Sequence, residues 1–154
     1  MEIKRILVPH DGDQMSDKAL MYAGELSRAL NAEVVILHVI EEQEIKIPAT
    51  ILLGNDPVTI SKAKRSIIRE LQQKWTKFVT EKAKLVSSNT QNASSEVKTG
   101  DAAEEILRTA KESQVGLIVM GTRQLRGLSK VVTALGSVAR KVSESAPCPV
   151  MLVH

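Results

Sequence analysis

Glu33-Val34-Val35-Ile36-Leu37-His38-Val39-Ile40 decides the fold. The run is apolar almost throughout and rich in β-branched residues. A strand with one wet face alternates polar and apolar positions. One that is apolar on both faces must be covered on both, as in a parallel sheet flanked by helices. Working towards the N-terminus, Ile3–Pro9 is a second apolar run, closed by the turn signal Asp11-Gly12, and reads as the first strand. Between the two, Ala19, Leu20, Ala23, Leu26 and Leu30 recur at helical spacing. Ser16 or Asp13 can cap that helix and Asn31 can stop it.

Towards the C-terminus, residues 41–58 form a long connection whose middle, Ile47–Leu53, is unusually apolar. It is expected to be a lid, a short helix or part of an interface. Thr59–Ser88 then carries one helical stripe through Ile60, Ile67, Ile68, Leu71, Trp75, Phe78 and Val79. At ~1.5 Å per residue such a helix is about 45 Å long, against ~17 Å for a short strand, so it must overhang the sheet or bend. Ser95–Thr99 reads as a strand ending at Gly100, and a helix with an acidic first turn follows from Asp101. Val115–Met120 is a fourth, buried strand ending at Gly121. Gly136–Val142 opens the last helix, and Pro147-Cys148-Pro149 separates it from a fifth strand, Val150–His154. Strands alternating with helices imply an α/β, three-layer, five-stranded parallel sheet with right-handed crossovers, formed by residues 1–154 as one domain.

Composition narrows the function. The chain has 154 residues, a formal net charge of +3, and one Trp, one Tyr and one Phe. So few aromatics and so small a charge argue against a base-stacking nucleic-acid platform. No apolar run reaches the ~20 residues of a membrane span, and the N-terminus lacks a secretory pattern. The single cysteine, Cys148, forbids an intrachain disulfide. A cytoplasmic protein with no nucleic-acid or membrane partner is expected.

In open parallel sheets the ligand sits off the carboxyl ends of the strands, where strand order reverses. Four informative turns lie there: Pro9-His10-Asp11-Gly12, His38–Glu41, Gly100-Asp101 and Gly121-Thr122-Arg123. Leu135-Gly136-Ser137-Val138 opens the last helix, where free N–H groups and the helix dipole favour an anion. The competing reading is an ordinary helix start with Ser137 as cap. Arg123, Arg126 and Lys130 could meet phosphates, or belong to a solvated basic loop. His10 and His38 end adjacent strands near Asp11, so a zinc site is conceivable, but two histidines bonded to backbone explain them better. Cys148 has no activating base and reads as structural. Ser137 lacks the general base that a nucleophile needs, and no other catalytic constellation is present.

Over its whole length the chain resembles the universal stress protein family. The resemblance is carried by Ile6-Leu7-Val8-Pro9 with Asp11, Ile36-Leu37-His38-Val39, Gly100 before Glu104-Glu105-Ile106, Ile118-Val119-Met120-Gly121, and Leu135-Gly136-Ser137-Val138 with Pro149-Val150. It implies a Rossmann-like sheet of the adenine nucleotide alpha hydrolase type, in the order 3-2-1-4-5. It also implies a homodimer joined along the last strand, Val150–His154. The family's ATP-binding branch carries Gly-x2-Gly-x9-Gly-Ser/Thr after the fourth strand. Gly121 and Gly136-Ser137 match its ends. Gln124 stands at the middle glycine, and fourteen residues separate Gly121 from Gly136 where the pattern has twelve.

The resemblance therefore implies a binding module for ATP or another adenine nucleotide, with Mg2+, used as ligand or switch. Pro9, Asp11, Val39, Met120 and Gly121 would hold the nucleoside, with Gly121, Arg123, Gln124, Gly136, Ser137 and Val138 around an altered phosphate loop. Any ATP hydrolysis is expected to be slow or partner-dependent. The alternative is a nucleotide-free dimeric interaction protein of the same fold, using the altered loop and Ile47–Leu53 as partner surface.

Overall fold

The computed structural model describes residues 2–54, 56–88, 92–122 and 136–154. Five parallel strands form one sheet: β1 (Arg5–Pro9), β2 (Glu33–Ile40), β3 (Ala93–Thr99), β4 (Leu117–Gly121) and β5 (Val150–Val153). Their order is β3-β2-β1-β4-β5, as the resemblance implies. Strand order reverses between β1 and β4, which are neighbours through Ile6–Leu117 and Leu7–Ile118.

Alternate residues of each strand enter opposite cores, as the period of two requires. Ile6, Val8, Val34 and Ile36 pack on one face against Ala19, Leu20 and Ala23 of α1 (Gln14–Leu30) and Val79 and Ala83 of α3 (Pro57–Ser87). Leu7, Val35, Leu37, Ile118 and Met120 pack on the other. Their partners are Ala103, Ile106 and Ala110 of α4 (Ala102–Glu112), and Ala139 and Val142 of α5 (Ser137–Ser145). The aliphatic run at 33–40 is thus divided between two cores and forms both.

The helix ends follow side-chain chemistry. Asp13, not Ser16, caps α1 by accepting from the Met15 N–H at 3.0 Å. Ser16 lies inside the helix and donates to Asp11 Oδ1 at 2.7 Å. Asn31 ends α1 in the left-handed region at φ 53°. Asp56 caps α3 and Asp101 caps α4.

The long connection holds a 3-10 turn at Glu42–Glu44 and a short helix, α2 (Ala49–Leu52). Of the three roles expected for it, the short helix is the one observed. α3 begins at Pro57, two residues before the sequence pattern suggests, because Pro suits a first helical turn. It does overhang the sheet: its only fully buried residues, Val79 and Ala83, lie in its C-terminal half. The third strand starts at Ala93 rather than Ser95. The polar stretch 92–95 pairs with β2 because edge strands tolerate polar residues, and Ser94 donates to Glu33 at 2.9 Å.

Candidate functional site

A cleft of about 540 Å³ opens at the carboxyl ends of β1, β2 and β4, where strand order reverses. That is an ordinary size for a small-molecule site. Eight of the ten residues expected from sequence line it: Pro9, Asp11, Val39, Met120, Gly121, Gly136, Ser137 and Val138. The other two, Arg123 and Gln124, lie outside the described residues, as do Arg126, Gly127 and Lys130.

Register explains the gathering. β1 ends at Pro9, which pairs with Leu37, while β2 continues to Ile40. Val39 therefore projects beyond the end of its neighbour, towards the cleft. Asp11 turns the chain from β1 into α1, and its carboxylate accepts from the Ser16 hydroxyl and, at 3.0 Å, from the Asp13 N–H. Gly121 ends β4 where α1 passes close. A Cβ there would lie 2.6 Å from the Met15 backbone. Its need for glycine thus comes from helix packing, though it also lines the cleft. Gly136, rather than Ser137, is the N-cap residue of α5, and no side chain caps that helix. Among the described residues, no atom lies within 4 Å of a Cβ built on Gly136.

The opposite wall joins the expected turn residues His38 and Glu41 to three that sequence reading did not bring to the site, Gln43, Glu44 and Trp75. Trp75, placed by its spacing in the core stripe of α3, lines the cleft with His38, Glu41, Gln43 and Glu44. Its ring stacks on His38 with centroids 3.5 Å apart and planes 18° from parallel. Its Nε1 donates to Glu44 Oε2 at 3.0 Å. The chain's single Trp sits on the part of α3 that passes the end of His38's strand, a placement that helical spacing alone does not give.

His10 and His38 are both buried, 2% and 3% exposed. Their hydrogen bonds fix their tautomers. The Gly12 N–H donates to His10 Nδ1 at 3.1 Å, so His10 Nε2 carries the proton and donates to Asp17 Oδ1 at 3.0 Å. Asp17 also pairs with Lys82 of α3, tying α1 to α3. His38 Nδ1 donates to the His10 carbonyl at 2.7 Å. Burial pushes both imidazoles below the ordinary histidine value, outweighing the opposing pull of Asp17 on His10 and of the His10 carbonyl and Glu44 on His38. Among the described residues, no group of three His, Cys, Asp or Glu is close enough to hold a metal ion. Cys148 is half-buried, and burial pushes its thiol up, away from reactivity.

The charge of the cleft is uneven. Its described lining carries Asp11, Glu41 and Glu44 but no Lys or Arg. The α5 N-terminus is the electropositive feature on the side of Gly136 and Ser137.

The model of the universal stress protein family matches residues 2–154. The chain belongs to the universal stress protein family. Universal stress protein YxiE of Bacillus subtilis is 36% identical over 152 residues, covering 97% of this chain and 98% of that protein. The solved structure of MJ0577 from Methanocaldococcus jannaschii superposes with a TM-score of 0.80 at 24% identity, covering 99% and 96% of the two chains. A universal stress protein from Archaeoglobus fulgidus, solved in complex with dAMP, superposes with a TM-score of 0.61 at 18% identity over the full length of both chains. Another member was solved with cAMP, with a TM-score of 0.64 at 22% identity, covering 100% of this chain and 98% of that one. These structures share the fold. Among the described residues no helix is long and apolar enough to cross a membrane.

Proposed function

We propose that this universal stress protein binds an adenine nucleotide as a ligand or switch, with the nucleoside on the Asp11–Val39 side of the cleft and the phosphates towards Gly136-Ser137. The observation that carries this reading is the convergence of eight residues from four separate segments on one cleft. Relatives of the same fold solved with dAMP and cAMP support it. In this reading Asp11 meets ribose hydroxyls, the Val39 backbone meets the base, and the α5 N-terminus, which has no side-chain cap, meets phosphate. Magnesium would arrive on the phosphates of ATP. Among the described lining residues none is an activated nucleophile, and the reading is a binding module with at most slow ATP hydrolysis.

Calorimetry with ATP, ADP and AMP, together with analysis of nucleotide released from freshly purified, denatured protein, tests it. Micromolar binding that weakens about tenfold or more in Asp11→Ala, the scale of a lost hydrogen bond to a ligand, is expected. Silence with all three nucleotides and no released nucleotide would sink the reading.

The same proposal includes a homodimer through β5. That strand ends the sheet, with no described strand paired to its outer edge, and Val150, Met151 and Leu152 are only half-buried. Odd-numbered residues of β5 bond to β4, as Pro149 and Val153 do through their carbonyls, so the outward N–H groups are those of Val150 and Leu152. Light scattering of Leu152→Pro, which removes an outward edge N–H donor, should show monomer where the parent shows dimer. A partner-binding reading without nucleotide draws on a different feature: Leu52 and Leu53 on and after α2 are 49% and 76% exposed.

A further inference from the structure

The wall of the cleft opposite Gly136 contains an unsatisfied electrostatic contact. His38 Nδ1 must carry a hydrogen, because its partner, the His10 carbonyl, can only accept. In a neutral ring Nε2 is then a lone pair. That atom is buried and has no hydrogen-bond partner among the described residues. Glu44 Oε1, also an acceptor, lies 3.7 Å from it. Two acceptors thus face each other, with no proton between them.

Glu44 is held in place from two other directions. Its Oε2 accepts from Trp75 Nε1 at 3.0 Å, and its Oε1 accepts from the Glu41 N–H at 3.2 Å. Trp75 in turn stacks on the His38 ring. Glu44 and His38 are therefore the two halves of a wall that needs one proton to close. The charged groups facing the ring are Glu44 from the 42–44 turn, Asp11 from the β1–α1 turn and Lys74 from α3, while β1 contributes the His10 carbonyl.

We propose that His38, Glu44 and Trp75 form a proton-operated clasp on the nucleotide cleft: a proton on His38 Nε2 turns the acceptor–acceptor contact into an ion pair and fastens the 42–44 turn and Trp75 over the base. Burial keeps the ring neutral and the clasp loose at neutral pH, and Glu44 and Asp11 pull the other way. Closing occurs as the pH falls. The regulatory part rests on the nucleotide-binding reading above, whereas the clasp is a property of the free protein.

Trp75 is the only tryptophan, so tryptophan emission reports on this wall of the cleft, and His38→Gln isolates the part due to His38. In ligand-free protein titrated from pH 8 to 5, the emission should change in a single step below the ordinary histidine value of about 6.5, as an imidazolium forms against the indole. His38→Gln should abolish the step. Glu44→Gln keeps an oxygen for Trp75 Nε1, gives up the weaker 3.2 Å bond from the Glu41 N–H, offers an N–H to His38 Nε2 and removes the charge that favours the imidazolium, so it should move the step to lower pH. A step that survives His38→Gln, or a midpoint that Glu44→Gln leaves in place or raises, overturns the clasp. If His38→Gln does not fold, the Glu44→Gln midpoint decides.

The second arm uses adenosine, which is uncharged over this range. If binding raises the His38 pKa by one unit, adenosine binds tighter at pH 5 than at pH 8 by a factor of up to about ten. Glu44→Gln, closed without a proton, should bind equally at both. Equal affinity of the parent protein at both pH values overturns the regulation and leaves the nucleotide reading standing. Absence of adenosine binding at every pH overturns the nucleotide reading and its regulation together, while the emission titration still judges the clasp.

Discussion

Gly121 stands directly against Met15: a Cβ added to the glycine would lie 2.6 Å from both the carbonyl carbon and the oxygen of Met15. The end of β4 and the first turn of α1 can approach this closely only because position 121 has no side chain. Gly121→Ala must push α1 off the sheet and should cost about 1–3 kcal/mol, the usual range for overpacking. Gly136 is the contrasting case. Its backbone suits any residue, and no described atom lies within 4 Å of where a Cβ would stand. Gly136→Ala should stay within about 1 kcal/mol in stability, the scale of a helix-cap change, while weakening nucleotide binding. Thermal melts and calorimetry on both variants check this. Equal stability losses would remove the distinction between a packing glycine and a ligand-facing one.

Asp17 joins His10 to Lys82, and its two roles separate by substitution. Burial alone would raise its pKa, but hydrogen bonds from Lys82 and His10 and their charges together lower it. In Asp17→Asn the amide oxygen still accepts from buried His10 Nε2 and only the ion pair is lost. That pair is partly exposed, so the loss should be below about 1 kcal/mol. Asp17→Ala strands the His10 N–H in the interior and should cost about 1–3 kcal/mol. Urea denaturation of the two variants gives the comparison, and an Asn variant as damaging as the Ala variant would refute it.

The fold was readable because its signal is redundant. The run at 33–40 demands two covered faces, and the strand–helix alternation admits one architecture. Boundaries were less secure where edge position outweighs composition: β3 begins at the small residues Ala93 and Ser94, which pair with Val34 and Val35. The Asp11, Val39, Met120 and Gly136-Ser137 parts of the site were readable because turns after parallel strands converge by topology. Trp75, Gln43 and Glu44 were not. Trp75 satisfies a helical core stripe as well as a cleft wall. Only the three-dimensional course of the overhanging helix distinguishes the two. Glu44 acts through a 3-10 turn that no periodicity announces.

Thr109 offers a stabilising substitution. It is fully buried in α4, and its hydroxyl has no partner among the described residues. Valine has nearly the same shape without the hydroxyl. Thr109→Val should raise stability by about 1 kcal/mol, by relieving the desolvation of an unpaired polar group. The denaturation midpoint should rise with its slope unchanged. A lowered midpoint would mean that the hydroxyl has a partner worth more than its burial costs.

The two buried histidines set the response of stability to acid. Burial lowers the pKa of each, so below the unfolded-state value of about 6.5 the unfolded chain binds protons that the folded chain refuses. Stability is then constant above that value and falls as the pH drops through it towards the folded pKa values. The slope can reach about 1.4 kcal/mol per pH unit for each histidine. Asp17 adds nothing in this window, since its own stabilisation is lost only below the ordinary carboxylate range. Urea denaturation at intervals from pH 8 to 5 should show a plateau followed by a decline, and His38→Gln should make the decline shallower. The comparison separates the histidines as well: what remains in His38→Gln belongs to His10, whose hydrogen bond to Asp17 survives the change. A decline that begins only below pH 5 would show that neither imidazole is held neutral by burial, and one steeper in the variant would show that His38 is not.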